Sequence, residues 1–302
     1  MISLAEEHKL IKNIVFRIVK RHIAGSTINS ALNTVRNLNG KGFPTTVTFL
    51  NEHVSDQLKA RYNSNAYVQV IRQISRLSLN SGVSVRLGQI GFALNNGVSQ
   101  KCMEDIVETA RAAGTQIWLE GGPGVDNYDL LKAYREARDS YDKVGVEIPL
   151  SYMSFGGNVL GKLRPDDMVR ITSRSYSDAA SVHEDKARQG SALRWYTSSI
   201  SSLLARRAKV CVYDPNGKML AKIAASAKSH KKDLIFGVPL GYSNRVSTVV
   251  KNSKLNLEVY VPYGKDWAPY AIYRLTSGRV RDIAIAVLNG KEGNDAYGKA
   301  QE

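Results

Sequence analysis

The chain has 302 residues, 43% of them hydrophobic and 23% charged, with a net charge of +15. That length and composition suit one large core in a single domain. Its two cysteines, Cys102 and Cys211, exclude a disulfide framework and read as reduced core thiols of a cytoplasmic protein. No apolar run is long enough to span a bilayer, and residues 1–9 lack the basic-then-apolar order of a signal peptide. The positive charge favours acidic partners, or serves solubility alone. Neither an interleaved aromatic and basic motif nor a nucleic-acid module is present, so nucleic-acid binding is not read as the main function.

Leu10, Ile11, Ile14, Val15, Ile18 and Val19 fall at helical spacing among basic residues. This pattern fits a helix packed on the body of the protein, or one lying on a membrane surface. Short β-branched or apolar runs then recur at 45–50, 83–90, 116–119, 144–150, 168–172, 210–213, 234–238 and 257–261. Helical patterns at 56–79, 100–113, 128–143, 187–208, 219–230, 243–251 and 267–275 follow most of these runs. Strands that alternate with helices imply crossover connections and a parallel sheet. Eight such units predict a closed (β/α)8 barrel over 1–302, with 1–40 as an N-terminal helical extension. A doubly wound open sheet is the runner-up, but no Gly-x-Gly-x-x-Gly turn follows the first strand.

Barrels carry their chemistry at the C-terminal ends of the strands. Those ends hold Asn51, Glu52 and His53 after the first strand, and Arg86 with Gln89 on the second. Glu120, Gly121 and Gly122 end the third; Arg174 follows the fifth, Asp214 the sixth, and residues 237–242 the seventh. Tyr260 and Tyr263 close the eighth, and Arg274 lies on the helix beyond. Arg86, Arg174 and Arg274 are expected to converge on one mouth, with Glu120 and Glu52 as counter-charges. Such a set suits a carboxylate ligand and a polyanionic cofactor, because arginine bonds both in bidentate fashion. It equally suits a structural ion-pair ring at the rim. The Gly-rich turns, Glu120 to Gly124 and Phe236 to Gly241, allow close backbone approach, and the second sits where many barrels bind phosphate. The five histidines show no metal spacing, no nucleophile elbow is present, and the three tryptophans read as packing residues.

Four segments carry a resemblance. They are Arg21-His-Ile-Ala-Gly25, Phe49-Leu-Asn-Glu-His-Val54, Val83-Ser-Val-Arg-Leu-Gly-Gln-Ile-Gly91, and the closing Tyr260-Val-Pro-Tyr-Gly followed by Tyr273-Arg274. In content and order they resemble the flavin-dependent proline dehydrogenases. The resemblance implies a flavin-bearing (β/α)8 barrel that binds FAD and oxidises L-proline to 1-pyrroline-5-carboxylate by hydride transfer. It also implies a quinone electron acceptor and peripheral membrane contact. On this resemblance Arg86 stands for the family's active-site lysine, Glu120 for its aspartate, and Tyr260 for its substrate-contacting tyrosine. Arg174 stands for its flavin-contacting arginine, and Arg274 for the second of its carboxylate-gripping arginine pair. Leu150, Asp214 and Gly241 fall on cofactor-binding segments.

The departures are specific. Tyr273 replaces the first arginine of the pair, Leu150 a glutamine, Tyr213 a histidine and Ser277 a glutamate. Loss of one charge-assisted bond to a carboxylate costs about 1.5–3 kcal/mol unless Arg86 compensates. A flavoenzyme for another secondary amine, or a barrel that has lost flavin and acts by binding, are the alternatives the substitutions raise.

Overall fold

The computed structural model describes residues 20–51, 54–94, 97–122, 124–149, 160–172, 186–213, 223, 233–241, 256–267 and 270. A 3-10 turn (Lys20–His22) and helix α1 (Ile28–Gly40) lead into the barrel. Then follow β1 (Thr45–Phe49), α2 (Gln57–Arg76), β2 (Ser81–Arg86), α3 (Val98–Ala113), β3 (Ile117–Glu120), α4 (Asn127–Ser140) and β4 (Val144–Pro149). The second half contributes β5 (Met168–Thr172), α5 (Lys186–Ala205), β6 (Lys209–Tyr213), β7 (Leu234–Pro239) and β8 (Asn256–Tyr263). All eight strands run parallel in sequence order, and β8 closes on β1 with Thr46 opposite Tyr260. The expected (β/α)8 barrel is therefore the fold. Helical expectations at 219–230, 243–251 and 267–275 fall almost wholly outside the described residues, as does the helix expected over 10–19.

Local chemistry sets the helix starts. Thr27 and Ser30 form a reciprocal capping box on α1. Asp56 accepts from the Lys59 amide at 2.9 Å, and Asp126 from the Asp129 amide at 2.8 Å, at the heads of α2 and α4. Gly114 ends α3 in the left-handed conformation at φ 65°, where a side chain is disfavoured.

Along each strand the side chains alternate between two environments. Val47, Val85, Leu119, Val146, Ile171, Val212, Phe236 and Val259 belong to one buried layer shared with the helices. Their neighbours point into the barrel, and that interior is polar. The second strand is shorter than expected. It stops at Arg86, and Leu87–Ile90 form a 3-10 turn ending at Gly91, φ 94°. Gln89, expected on the strand, is buried in that turn. Its side chain accepts from Tyr67 and donates to the Phe49 carbonyl at 3.0 Å, so it braces the turn.

The floor of the barrel is packed against one glycine. A β-carbon at Gly145 would lie 2.5 Å from the Trp118 ring and 3.1 Å from Met168 Cβ. Trp118 has no room to retreat, because the Arg170 guanidinium sits 4.4 Å from its ring centroid. Gly145→Ala is expected to cost about 1–3 kcal/mol by overpacking. Urea unfolding should show a lower midpoint at unchanged slope; an unchanged midpoint would mean that the floor is loosely packed.

Candidate active site

Three of the residues expected at the mouth come together in space. Arg86 ends β2, Glu120 ends β3, and Tyr260 is on β8; all are buried. Arg86 Nε donates to Glu120 Oε2 at 3.0 Å, and Tyr260 donates its hydroxyl hydrogen to Glu120 Oε1 at 2.9 Å. Arg86 Nη2 lies 3.4 Å from the same phenol oxygen. Ser84, one inward position below Arg86, also donates to Glu120 Oε1.

The centre of the site is a residue that the strand pattern alone concealed. Arg170 on β5 is fully buried. Its Nη1 donates to Ser84 Oγ at 2.9 Å and lies 3.4 Å from both Glu120 and Glu147. Its Nη2 reaches Glu258 at 3.2 Å and Thr46 at 3.5 Å. The guanidinium also lies over Trp118 and 5.7 Å from the rings of Tyr213 and Tyr260. Glu147, Arg170 and Glu258 were legible as charges flanked by aliphatic residues, Val-Glu-Ile, Val-Arg-Ile and Leu-Glu-Val. Period-2 geometry turns each such charge to the face opposite its apolar neighbours, which in a closed barrel is the interior. Trp118, expected as packing, is packing that also carries a cation.

Burial raises the cost of every charge here, and the partners decide the outcome. Burial works against ionised Glu120, but Arg86 and Arg170 outweigh it and hold the carboxyl below its usual range. Burial also opposes charge on Arg170, yet Glu258 and the other acids raise it above the ordinary guanidinium value. Burial and then the Glu120 charge push Glu147 up to about 8. Burial and the Glu120 carboxylate raise Tyr260, so it is a hydrogen-bond donor at neutral pH. Burial, then Glu258, pushes the Cys211 thiol up to about 12, which rules it out as a thiolate nucleophile.

An apolar cap surrounds the phenol. Ile23, Leu50, Tyr213, Tyr260 and Tyr270 form one buried cluster, with Tyr213 and Tyr260 edge to face at 5.3 Å. The segment Arg21 to Gly25 is tied down over β7 and β8: His22 Nδ1 is 2.8 Å from the Leu240 carbonyl, and the Ala24 amide donates to Pro262 O at 2.8 Å. Gly241 lies beneath this strap. A β-carbon there would come within 2.6 Å of His22 Nδ1, so its close approach is to the protein's own chain. Arg174, Arg274, Leu150 and Asp214 lie outside the described residues, as do Glu52, His53, Tyr273 and Ser277. A separate groove of about 680 Å³ on the outer wall, between α3 and α4, shares no residue with this cluster. Among the described residues no helix is long and apolar enough to cross a membrane.

No family model matches the chain. It is 24% identical over 264 residues to proline dehydrogenase 1 of Bacillus subtilis, covering 85% of each protein. Against proline dehydrogenase 2 of the same organism it is 24% identical over 285 residues, covering 92% of each. Its fold is similar to that of proline utilization A (PutA) from Bdellovibrio bacteriovorus, with a TM-score of 0.74, 14% identity, and coverage of 90% of this chain and 34% of that one. A Bradyrhizobium japonicum PutA gives a TM-score of 0.70 at 18% identity, with 90% of this chain and 32% of that one covered. The chain thus spans about a third of the PutA chains but nearly the whole length of the Bacillus enzymes. Over most of its length the chain is thus similar in sequence to the proline dehydrogenases of Bacillus subtilis, and in fold to the PutA structures.

Proposed function

We propose that this chain oxidises L-proline to 1-pyrroline-5-carboxylate with a bound flavin, in the form of FAD. The observation that carries the reading is the buried Arg86–Glu120–Tyr260–Arg170 cluster at the mouth of the barrel. Two features fit the electron-accepting ring of a flavin. Arg170 is a fixed, buried cation on β5. Thr172, the next inward residue on that strand, has a buried hydroxyl with no hydrogen-bond partner, which can meet a polar atom of the ring. The flavin, when bound, supplies the hydride acceptor.

The chain's own residues supply binding, orientation and charge. Arg86, together with Arg274, holds the substrate carboxylate. Tyr260, braced against Tyr213, forms a rigid wall for the pyrrolidine ring. Glu120 accepts from four donors, Ser84, Arg86, Arg170 and Tyr260, so it holds these groups in place and does not take a proton from substrate. Arg170 stabilises negative charge as it develops on the acceptor, which gives to β5 itself the part first read at Arg174. The cap of Ile23, Leu50 and Tyr270 keeps water from the hydride path. A membrane quinone is the proposed terminal acceptor, and a chain of net charge +15 suits approach to an anionic lipid surface.

The test is the visible spectrum of the purified protein before and after anaerobic addition of L-proline. Flavin absorbance that bleaches on proline is the expected result. Flavin that stays oxidised with proline would move the substrate to another secondary amine. A protein that remains colourless after reconstitution with excess FAD would overturn the reading in favour of a barrel that acts by binding.

A further inference from the structure

The cluster contains more acid than the proposed chemistry uses. Arg86 on β2 and Arg170 on β5 face Glu120 on β3, Glu147 on β4 and Glu258 on β8. Among the described residues two guanidinium groups face three carboxylates, and an unmatched charge in a barrel interior is costly. One carboxyl is therefore best kept protonated.

The hydrogen bonds identify which one. Glu120 is held by four donors. Glu258 accepts from Arg170 Nη2 at 3.2 Å. Glu147 has a single, longer contact at 3.4 Å, to an Nη1 that already serves Ser84 and Glu120. Its side chain is also the most open of the three acids, 15% exposed against 9% for Glu120 and 10% for Glu258. Solvent protons reach it first.

We propose that Glu147 is a proton-exchanging residue of this site, protonated at neutral pH so that two guanidinium groups face two carboxylates, and, once alkaline solution has ionised it, regaining a proton when negative charge develops beside Arg170. It is a positioning residue that acts through Arg170. The proposal rests on the function above for the source of that charge. A bound flavin would supply the hydride acceptor, and the negative charge left there by substrate oxidation would favour one solvent proton on Glu147 where that carboxyl is ionised. The groups facing Glu147 set its balance. Burial and Glu120 on β3 favour the protonated acid, whereas Arg170 on β5 and Arg86 on β2 favour the anion. Glu258 on β8 and Cys211 on β6 act on the same Arg170.

The experiment compares the full chain with Glu147→Gln, which keeps the size and the contact to Arg170 but cannot exchange a proton. In denaturant unfolding from about pH 5 to 9, the sign follows from Glu147 moving from its usual 4.5 up to about 8 on folding. Between those values the folded state holds a proton that the unfolded chain has lost. Wild type should therefore lose stability relative to the variant as pH rises through this window. The loss is up to about tenfold in the folded-to-unfolded ratio per pH unit, levelling off above about 8. Parallel profiles would overturn the proposal. The second measurement is the midpoint potential of the bound flavin against pH. Above about pH 8 the wild type should show a steeper dependence than the variant; equal slopes would overturn the coupling to Arg170. A protein that takes no flavin would overturn the proposed function and the coupling with it. The unfolding profiles would then still decide the proton exchange itself.

Discussion

Arg170→Met is expected to lower stability by about 3–5 kcal/mol, because it leaves buried acids without their shared counter-charge. Arg170 is fully buried and lies between Glu120, Glu147 and Glu258. Methionine fills much of the same space, so the loss reports charge rather than a cavity. The check is urea unfolding at neutral pH, where a loss under about 1 kcal/mol would mean that water, not Arg170, solvates these acids. Adding Glu147→Gln and Glu258→Gln to Arg170→Met should recover part of the loss, since neutral amides need no counter-charge. Arg170→Lys should fall between wild type and Arg170→Met. It keeps the charge but cannot span Glu258 on one side and Ser84 with Glu120 on the other, as the two guanidinium nitrogens do. In the flavin-loaded protein Arg170→Met should also slow flavin reduction by proline. An unchanged rate would remove Arg170 from the reaction while leaving its structural part intact.

Glu120→Gln is expected to lower kcat/KM for proline by about 10²-fold, through positioning alone. The carboxylate fixes Arg86 at 3.0 Å and Tyr260 at 2.9 Å, so an amide in its place presents an N–H to one of two donors. Either the Arg86 fork or the Tyr260 ring then turns away from its productive position. The same variant has a second consequence for pH. The Glu120 charge is one cause of the raised Glu147 pKa, after burial. Without that charge Glu147 should ionise at lower pH, and the fall in stability between about pH 5 and 8 should become shallower than in wild type. A fall in activity with an unchanged stability profile would show that Glu120 and Glu147 do not sense one another.

Much of the site was legible in the residues, but not all for the right reason. Arg86, Glu120 and Tyr260 were placed by the rule that barrels act at strand ends, and the fold brings these three within hydrogen-bond reach. Arg170 escaped because Met-Val-Arg-Ile-Thr reads as one short buried strand, and a lone arginine in such a run draws attention only if its facing is worked out. Gln89 went the other way. Its apolar neighbours suggested that the second strand continued, but a 3-10 turn that contains Gly88 and closes at Gly91 ends it at Arg86. Gly241 illustrates a third kind of difference. The sequence showed that the backbone there admits a close neighbour, and only the folded chain shows that the neighbour is His22.

The sequence by itself determined the barrel. Eight runs with apolar residues at alternate positions, separated by capped amphipathic helices, have few other ways to bury their apolar faces. It also determined that the opposite faces carry charge, since the alternation that puts Val169 and Ile171 outward must put Arg170 inward. Which charges meet was decided by the tertiary structure. Ser84, Glu120, Arg170 and Glu258 lie far apart in the chain, and their contacts depend on the register of each strand pair and on the closure of β8 against β1. A shift of one residue in any pairing would turn that strand's charge into the apolar layer. The closed barrel therefore selects the cluster, and the interaction among its charges, not the nature of any one residue, sets how each of them ionises.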